Sequence, residues 1–350
     1  MTRSSSNDNG DTDGDGIDNG VNSSKLEHIL SILESGKYIS GQTLAGKVGI
    51  SRSAVWKHIR HLRRYGYTIE SLHGMGYRLI KRTDSPVPWE LAKLLNTSFL
   101  GKKIIIYRNI TDSTQDLALS FVSHRRDFHG IIILAEQQKN GRGRLKRKWL
   151  SPKGGLWLSI ILKPVIPTSR ITLLPLVAAI AVCNAIRQET KLNATLKWPN
   201  DIVIHGKKVA GILLDISAEA EQVNYAIIGI GINVNIDASA ILPNLEDFQK
   251  VTSIKSELGH DANRLALTKT LLENLEQRYV ELETYENRSA IINKWKQMSE
   301  MFGKQVKITQ GGRLIEGTAM DLNDNDGSLL LRTNYGTNIC ITSGDIKVRY

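Results

Sequence analysis

The stretch Gln138-Lys139-Asn140-Gly141-Arg142-Gly143-Arg144-Leu145-Lys146-Arg147-Lys148-Trp149 constrains the fold of this chain more than any other. It follows an apolar, strand-like run (Ile131 to Leu134) and precedes another (Leu156 to Leu162), so it reads as a loop joining two strands of a sheet. Glycine lets backbone N–H groups approach an anion closely, and arginine clamps phosphate or carboxylate at two points. The same composition serves nucleic-acid-binding arms, where arginines track phosphates without forming a pocket, and ordinary solvated loops. Here the run is single and lies deep inside a globular chain, which favours a pocket for a negatively charged, activated small molecule. Trp149 either covers a flat ring there or plugs core beside Leu150.

A second island follows, Lys197-Trp198-Pro199-Asn200-Asp201, and then Lys208-Val209-Ala210-Gly211-Ile212-Leu213. The chain has 350 residues, enough for two or three domains with a sizeable core, and 41% of them are hydrophobic. No apolar run is read as long enough to span a bilayer, and the polar, acidic start is not a secretory signal, so the reading is no membrane and a cytoplasmic location. Cys183 and Cys340 lie far apart, fit no metal-ligand spacing, and read as packing residues in a reducing compartment. The net charge is +11; residues 1–24 hold five aspartates against Arg3, a balance of −4, so the remainder carries +15. That excess suits phosphate-bearing partners, whether DNA, a nucleotide or both.

Residues 1–24 read as a disordered acidic tail. Within it Asp11-Thr12-Asp13-Gly14-Asp15-Gly16-Ile17 resembles half a calcium loop, but Asn22 stands where a bidentate Glu is needed. Residues 25–82 read as a winged helix-turn-helix. Leu26, Ile29, Leu30 and Leu33 share one helical face; Ser40 caps a second helix burying Leu44, Ala45 and Val48; Gly49 turns the chain and Ile50 makes a core contact. Ser51 caps a third helix with Val55, Ile59 and Leu62 inward. That helix presents Arg52, Ser53, Trp56, Lys57 and Arg60, with Arg63 and Arg64 near its end, to a DNA major groove. Tyr67–Ser71 and Tyr77–Ile80 form the wing.

Residues 83–88 read as a linker by composition. From 89 to 301 strand-like and helix-like runs alternate, with strands at Lys103–Tyr107, Ile131–Leu134, Leu156–Leu162, Ala194–Trp198, Ile202–Ile204, Ile212–Ile216 and Tyr225–Ile232. Helices are expected at Ser113–Phe121, Ile171–Gln188, Asn263–Thr284 and Ile291–Met298. The turn at His205-Gly206-Lys207 makes a hairpin and hence a mixed sheet: an α/β class, not a purely parallel one. Gly229-Ile230-Gly231 lacks the third glycine of a dinucleotide fingerprint. From 302 to 350, short alternating strands separated by Gly311-Gly312, Asn323–Gly327 and Ser343-Gly344 read as a small β-barrel.

The blocks together resemble the biotin protein ligases, in the form that is also a biotin operon repressor. The pattern Gln-x-x-Gly-Arg-Gly-Arg-x-Gly-Arg-x-Trp-x-Ser-Pro-x-Gly is matched from Gln138 to Gly154 at every fixed position but Lys146, where the family has glycine. Lys197–Asp201, Lys208–Leu213, Gly231-Ile232-Asn233 and Asp112-Ser113-Thr114 match further blocks in order, and the resemblance runs from about Lys25 to the C-terminus. It implies the mixed-sheet α+β core of the biotin/lipoate ligases between the winged helix-turn-helix and an SH3-like C-terminal domain. It implies ATP, Mg2+ and biotin as reactants, a biotin carboxyl carrier domain of a carboxylase as acceptor, operator DNA as a partner, and a homodimer.

By the same resemblance Lys197 supplies the central catalytic charge, with Arg142 and Arg144 on the carboxylate and α-phosphate. Ser113, Thr114, Gln115, Gln138, Gly143, Lys197 and the two arginines would hold biotin; Gln115 stands where relatives often carry Asn, and Ser113 is also a plausible helix N-cap. Arg147, Lys148, Trp149, Asn200, Lys208 and Asn233 would meet the nucleotide. The metal ligands stay unassigned; Asp201 is the nearest carboxylate and would alternatively orient Lys197 or cap the hairpin. Rival readings are a lipoate-type ligase, a regulator that only senses an adenylate, and a ligase that no longer represses.

Overall fold

The computed structural model describes residues 23–219, 222–237, 250–284 and 288–348. Nearly all of the acidic tail, including its half calcium loop, lies outside the described residues.

The first compact unit ends at Arg82. It consists of α1 (Ser23–Leu33), α2 (Gly41–Val48), α3 (Arg52–Arg64), β1 (Thr68–Leu72) and β2 (Gly76–Lys81). Leu26, Ile29, Leu30, Leu33, Leu44, Ala45, Val55, Ile59 and Leu62 are all buried, as the periodicity requires, whereas Val48 and Ile50 are only half-buried. The Ser40 hydroxyl accepts from Thr43 N at 3.0 Å and caps α2, and Gly49 ends it at φ 69°. The wing is an antiparallel pair, and Gly76 (φ +107°) must be glycine because a Cβ there would overlap the carbonyl oxygen of Ile39. Arg52, Ser53, Trp56, Lys57 and Arg60 are exposed together on α3, with the Arg60 guanidinium 5.2 Å from the Trp56 ring centroid. Arg63 instead turns back, donating to Ile69 O at 3.0 and 2.7 Å, so it fastens α3 to the wing.

The second unit is built on a seven-stranded sheet. Its strands and helices run α4 (Pro88–Leu94), β3 (Ile105–Thr111), α5 (Thr114–His124), β4 (Ile131–Gln138), β5 (Leu156–Leu162), α6 (Leu174–Thr190), β6 (Ala194–Lys197), β7 (Asp201–Ile204), β8 (Lys207–Glu219) and β9 (Gln222–Ile232). There follow α7 (Ile254–Leu258), α8 (Arg264–Thr284) and α9 (Arg288–Gln297). The strand order is β3-β4-β5-β9-β8-β7-β6; only β3 and β4 are parallel, so the sheet is mixed. β5, apolar at six of seven positions, is buried along its whole length, as a central strand must be. α5 packs on β4, β5 and β9, and α6 on β6 to β9 with α8 against it.

Four readings need correction. β8 begins at Lys207, five residues before the run Ile212–Ile216, because Lys207 and Lys208 pair with Ile204 and Val203 of β7 and Ala210 and Gly211 with β9, residues that hydropathy reads as loop. The segment Thr168–Thr190 is by length and composition apolar enough to cross a membrane, although 72% of its apolar 18-residue stretch is buried inside the fold, where the segment contains the central helix α6. Cys340 is exposed, because alternation on β13 turns Ile341 inward and Cys340 out; Cys183 is buried, and burial pushes its thiol up to about 12. The linker composition at 83–88 hides an ordered segment: Pro88 opens α4, and Thr83, Ser85 and Val87 are buried.

That segment is held by Arg264, itself only 6% exposed. Its guanidinium forks onto Asp84 (3.1 and 3.1 Å), donates to Ser85 Oγ at 2.7 Å, and reaches both carboxylate oxygens of Glu136 at 3.0 Å. Burial disfavours the cation, but Asp84 and Glu136 outweigh it and raise its pKa. Glu136 also accepts from Tyr107 Oη, which burial and that carboxylate keep protonated.

The chain ends in β10 (Gln305–Gln310), β11 (Arg313–Leu322), β12 (Leu329–Thr333), β13 (Asn338–Ile341) and β14 (Asp345–Val348). They form one antiparallel sheet in the order β13-β12-β11-β10-β14. Val306, Ile308, Ala319, Leu322, Leu329 and Leu331 fill its buried side.

Candidate active site

The loop between β4 and β5 is folded, not splayed. Lys139 N and Asn140 N donate to Thr111 O (2.9 Å) and Asp112 O (2.8 Å); Trp149 N donates to Gly141 O and Gly143 N to Arg147 O, both at 2.8 Å. A single 3-10 turn, Arg144–Lys146, forms the tip, with Leu145 and Lys146 at φ 55° and 60°. A glycine at 146 would meet that backbone demand without strain; the lysine meets it at a cost of about 1 kcal/mol or more.

Beneath the loop lies a glycine floor. Gly211 and Gly231 face each other across β8 and β9, and the Trp149 indole rests on both. A Cβ at Gly231 would stand 2.6 Å from Trp149 Nε1 and would displace the indole, and one at Gly211 would press on it at 3.0 Å from Cζ3. Trp149 also meets Trp157 edge-on at 6.5 Å. Its Nε1 is buried with no hydrogen-bond partner, a donor aimed at nothing among the described residues. Lys208 Nζ stands 5.1 Å from the ring centroid and pairs with Asp201 Oδ1 at 2.6 Å.

The residues read from the sequence fall into three groups. Ser113, Thr114, Gln115 and Gln138 come together in a polar knot. Ser113 Oγ caps α5 through Gln115 N and Asp116 N at 3.2 and 3.3 Å. Gln138 Oε1 accepts from Thr114 N and Oγ1, and Gln138 Nε2 donates to Ser151 Oγ. Gln115 bridges Ile227 O and Ser159 Oγ. Ser113, Thr114 and Gln115 are buried and Gln138 half-buried, and the two amide side chains are hydrogen-bonded to Thr114, Ser151, Ser159 and Ile227 O.

The second group surrounds a cavity of about 560 Å³ lined by residues 140–148 with Leu213, Leu214 and Asp215. Arg142 Nη1 lies 2.7 Å from Asp116 Oδ1 and 3.2 Å from Asp215 Oδ2, the latter an ion pair without hydrogen-bond geometry. Arg144 Nη1 donates to Asn200 Oδ1 at 2.9 Å, and Asn200 Nδ2 in turn donates to Ile212 O. Arg147 and Lys148 are exposed on the rim. The third group is set back: Lys197 is half-buried at the end of β6, opposite Asp201 in register, and neither it nor Lys208 lines this cavity or the smaller one beyond Asn200. Asn233 is buried and ties the end of β9 to Thr252 O at 3.0 Å.

Sequence reading missed Asp116, Asp215 and Ser159. Ser159 had a signal, being the one polar residue in an apolar strand; the two aspartates had none, since only the fold brings them to Arg142. Among the described residues no group of three or more His, Cys, Asp or Glu side chains could hold a metal. Asp201, the carboxylate nearest Lys197 in sequence, is engaged with Lys208.

The profile of the Biotin/lipoate A/B protein ligase family matches residues 107–233; an HTH domain profile matches 25–78, and the Biotin protein ligase C terminal domain matches 301–349. The Bifunctional ligase/repressor BirA of Bacillus subtilis (strain 168) is 36% identical over 313 residues, covering 89% of this chain and 94% of that protein. The chain belongs to the biotin protein ligase family. The BirA of Escherichia coli (strain K12) is 28% identical over 87% of this chain and 91% of its own length. Among solved structures, a biotin protein ligase from Aquifex aeolicus in complex with biotin and ATP is 29% identical, with a TM-score of 0.59 over 71% of this chain and 99% of that one. Membership in the biotin protein ligase family agrees with the order of the parts: a helix-turn-helix, a mixed-sheet core carrying the loop, and a small antiparallel sheet.

Proposed function

We propose that this chain is an ATP-dependent ligase that makes biotinyl-5′-AMP and passes the biotinyl group to a lysine of a biotin carboxyl carrier domain. Through α3 and its wing it also acts as a biotin-responsive repressor at operator DNA. The observation that carries the first half is the convergence of Arg142, Arg144, Arg147 and Lys148 on one cavity, with Lys208 behind Trp149.

The chemistry explains that convergence. A carboxylate oxygen attacks the α-phosphorus of ATP, the P–O bond to pyrophosphate breaks, and two anions must be held together meanwhile. Fixed cations in a partly enclosed site offset that repulsion. Arg142 and Arg144 would take the carboxylate and α-phosphate oxygens, and Arg147 and Lys148 the departing pyrophosphate. We assign the central charge to Lys208, which touches Trp149, and treat Lys197 as its neighbour across Asp201. The biotin ring system would meet the knot of Ser113, Thr114, Gln115 and Gln138 after Trp149 shifts on its glycine floor. The indole N–H then gains the partner it lacks. Asn200 and Asn233 support the nucleotide side. Magnesium enters with the phosphates of ATP as substrate.

In the second half-reaction the acceptor amine attacks the acyl carbon, the C–O bond to phosphate breaks, and AMP leaves with the electron pair. A single winged unit reads half an operator, so repression implies a homodimer, with the adenylate as corepressor. The reading places the protein in the cytoplasm. The test is transfer of labelled biotin to a purified carboxyl carrier domain with ATP and magnesium, beside lipoate. Biotin-specific transfer is expected; none, with biotin still bound, would leave a ligand-sensing regulator.

Lys146 tunes this cycle. Its charge favours a loop closed over phosphate and acts against the strain of its positive φ, so Lys146→Gly should speed adenylate dissociation about threefold. An unchanged dissociation rate in a stopped-flow chase would refute that role.

A further inference from the structure

A second cavity, of about 280 Å³, lies on the far side of Arg144. Arg144, Leu213 and Leu214 line both cavities, so the two share a wall. Besides Ile212 and Thr342, the remaining lining is three short stretches: Thr172, Pro175 and Leu176 around the start of α6, Trp198 to Asn200 after β6, and Asp326 to Ser328 between β11 and β12. The parts are bolted together, since buried Trp198 donates its Nε1 to Gly327 O at 3.1 Å.

We propose that this cavity is the channel by which the acceptor's lysine side chain reaches the activated acyl group; the proposal rests on the ligase reading above. A lysine is an apolar stem with a cationic head. Pro175, Leu176, Trp198 and Leu213 offer the stem apolar walls. Asp326 offers the head a carboxylate. Its Oδ1 is oriented by Ser328 N and Oγ at 3.0 and 2.7 Å, and among the described residues no cation pairs with it. A chain whose net charge is +11 thus presents a carboxylate where a cation would enter, a local sign opposite to that of the whole.

The two ends of the passage do different work. At the Asp326 end the amine is held as ammonium by opposite charge. At the inner end it meets the Arg144 guanidinium and Asn200, where a like charge favours the neutral, nucleophilic amine. The ammonium sheds one proton to solvent before attack. The C–N bond forms as the C–O bond to phosphate breaks, AMP leaves with the electron pair, and the second proton follows to solvent.

The test uses the full chain and three variants: Asp326→Asn, Asp326→Lys and Thr172→Trp, the last narrowing the mouth from an exposed position. Biotin-dependent pyrophosphate exchange and capture of the adenylate by hydroxylamine report the site without the channel. Both should stay within about twofold of the parent, which also certifies folding. KM for the carrier domain should rise about tenfold in Asp326→Lys, and less in Asp326→Asn. Thr172→Trp should lower carrier transfer while hydroxylamine capture is kept. Unchanged carrier kinetics in both Asp326→Lys and Thr172→Trp would overturn the channel, as would loss of exchange in these variants, which would make the cavity part of the nucleotide site. Absence of exchange in the parent chain would instead remove the ligase reading itself.

Discussion

Lys208→Ala should lower the rate of biotin-dependent pyrophosphate exchange by about two to three orders of magnitude, the usual cost of one preorganised charge at a developing anion. The position explains the size. Lys208 Nζ is 2.6 Å from Asp201 Oδ1 and 5.1 Å from the Trp149 centroid, with its side chain 18% exposed. Removing it deletes a cation and also leaves the Asp201 carboxylate unpaired beside two anionic reactants. Lys197→Ala should cost less than tenfold, because Lys208 is the ammonium held against the Trp149 ring. Lys208→Ala/Asp201→Asn should recover part of the loss by removing the stranded carboxylate. A larger defect in Lys197→Ala than in Lys208→Ala would return the central charge to the lysine that the motif first indicated.

Arg264→Met should destabilise the second unit by about 3 to 5 kcal/mol, the range for stripping one partner from a buried ion pair. Two carboxylates depend on this one guanidinium, Asp84 and Glu136, and Glu136 is 7% exposed. Adding Glu136→Gln should restore a large part of the loss, since a neutral amide costs less to bury. Denaturant midpoints of the parent, the single variants and the double variant would measure this as a cycle. Additive losses in the single and double variants would show that the pair is not energetically coupled.

Local pattern carried most of the fold. The inward positions of α1 to α3, the central strand β5 and the hairpin at His205-Gly206 all follow from spacing and turn chemistry, which act within a few residues. Pattern failed where distant partners decide. β8 extends because β7 pairs with its first residues and β9 with the rest, and Thr83, Ser85 and Val87 are buried where Arg264, far along the chain, reaches back to Asp84 and Ser85. The same division runs through the site. The loop, the knot and the glycines were legible as motifs, but the choice between Lys197 and Lys208 depends on which strand end faces Trp149. Asp116 and Asp215 became partners of Arg142 only in the folded sheet.

The burial of Thr83, Ser85 and Val87 bears on how this protein can be dissected. A fragment meant to carry ligation alone, started at Trp89 where composition changes, would leave Arg264 without Asp84 and Ser85, which supply its fork partner and one further hydrogen bond. Such a fragment would express as an unstable body and could be mistaken for proof that catalysis requires the DNA-binding half. A fragment started at Thr83 keeps those contacts. The usable cut lies upstream of the segment that looks most like a hinge.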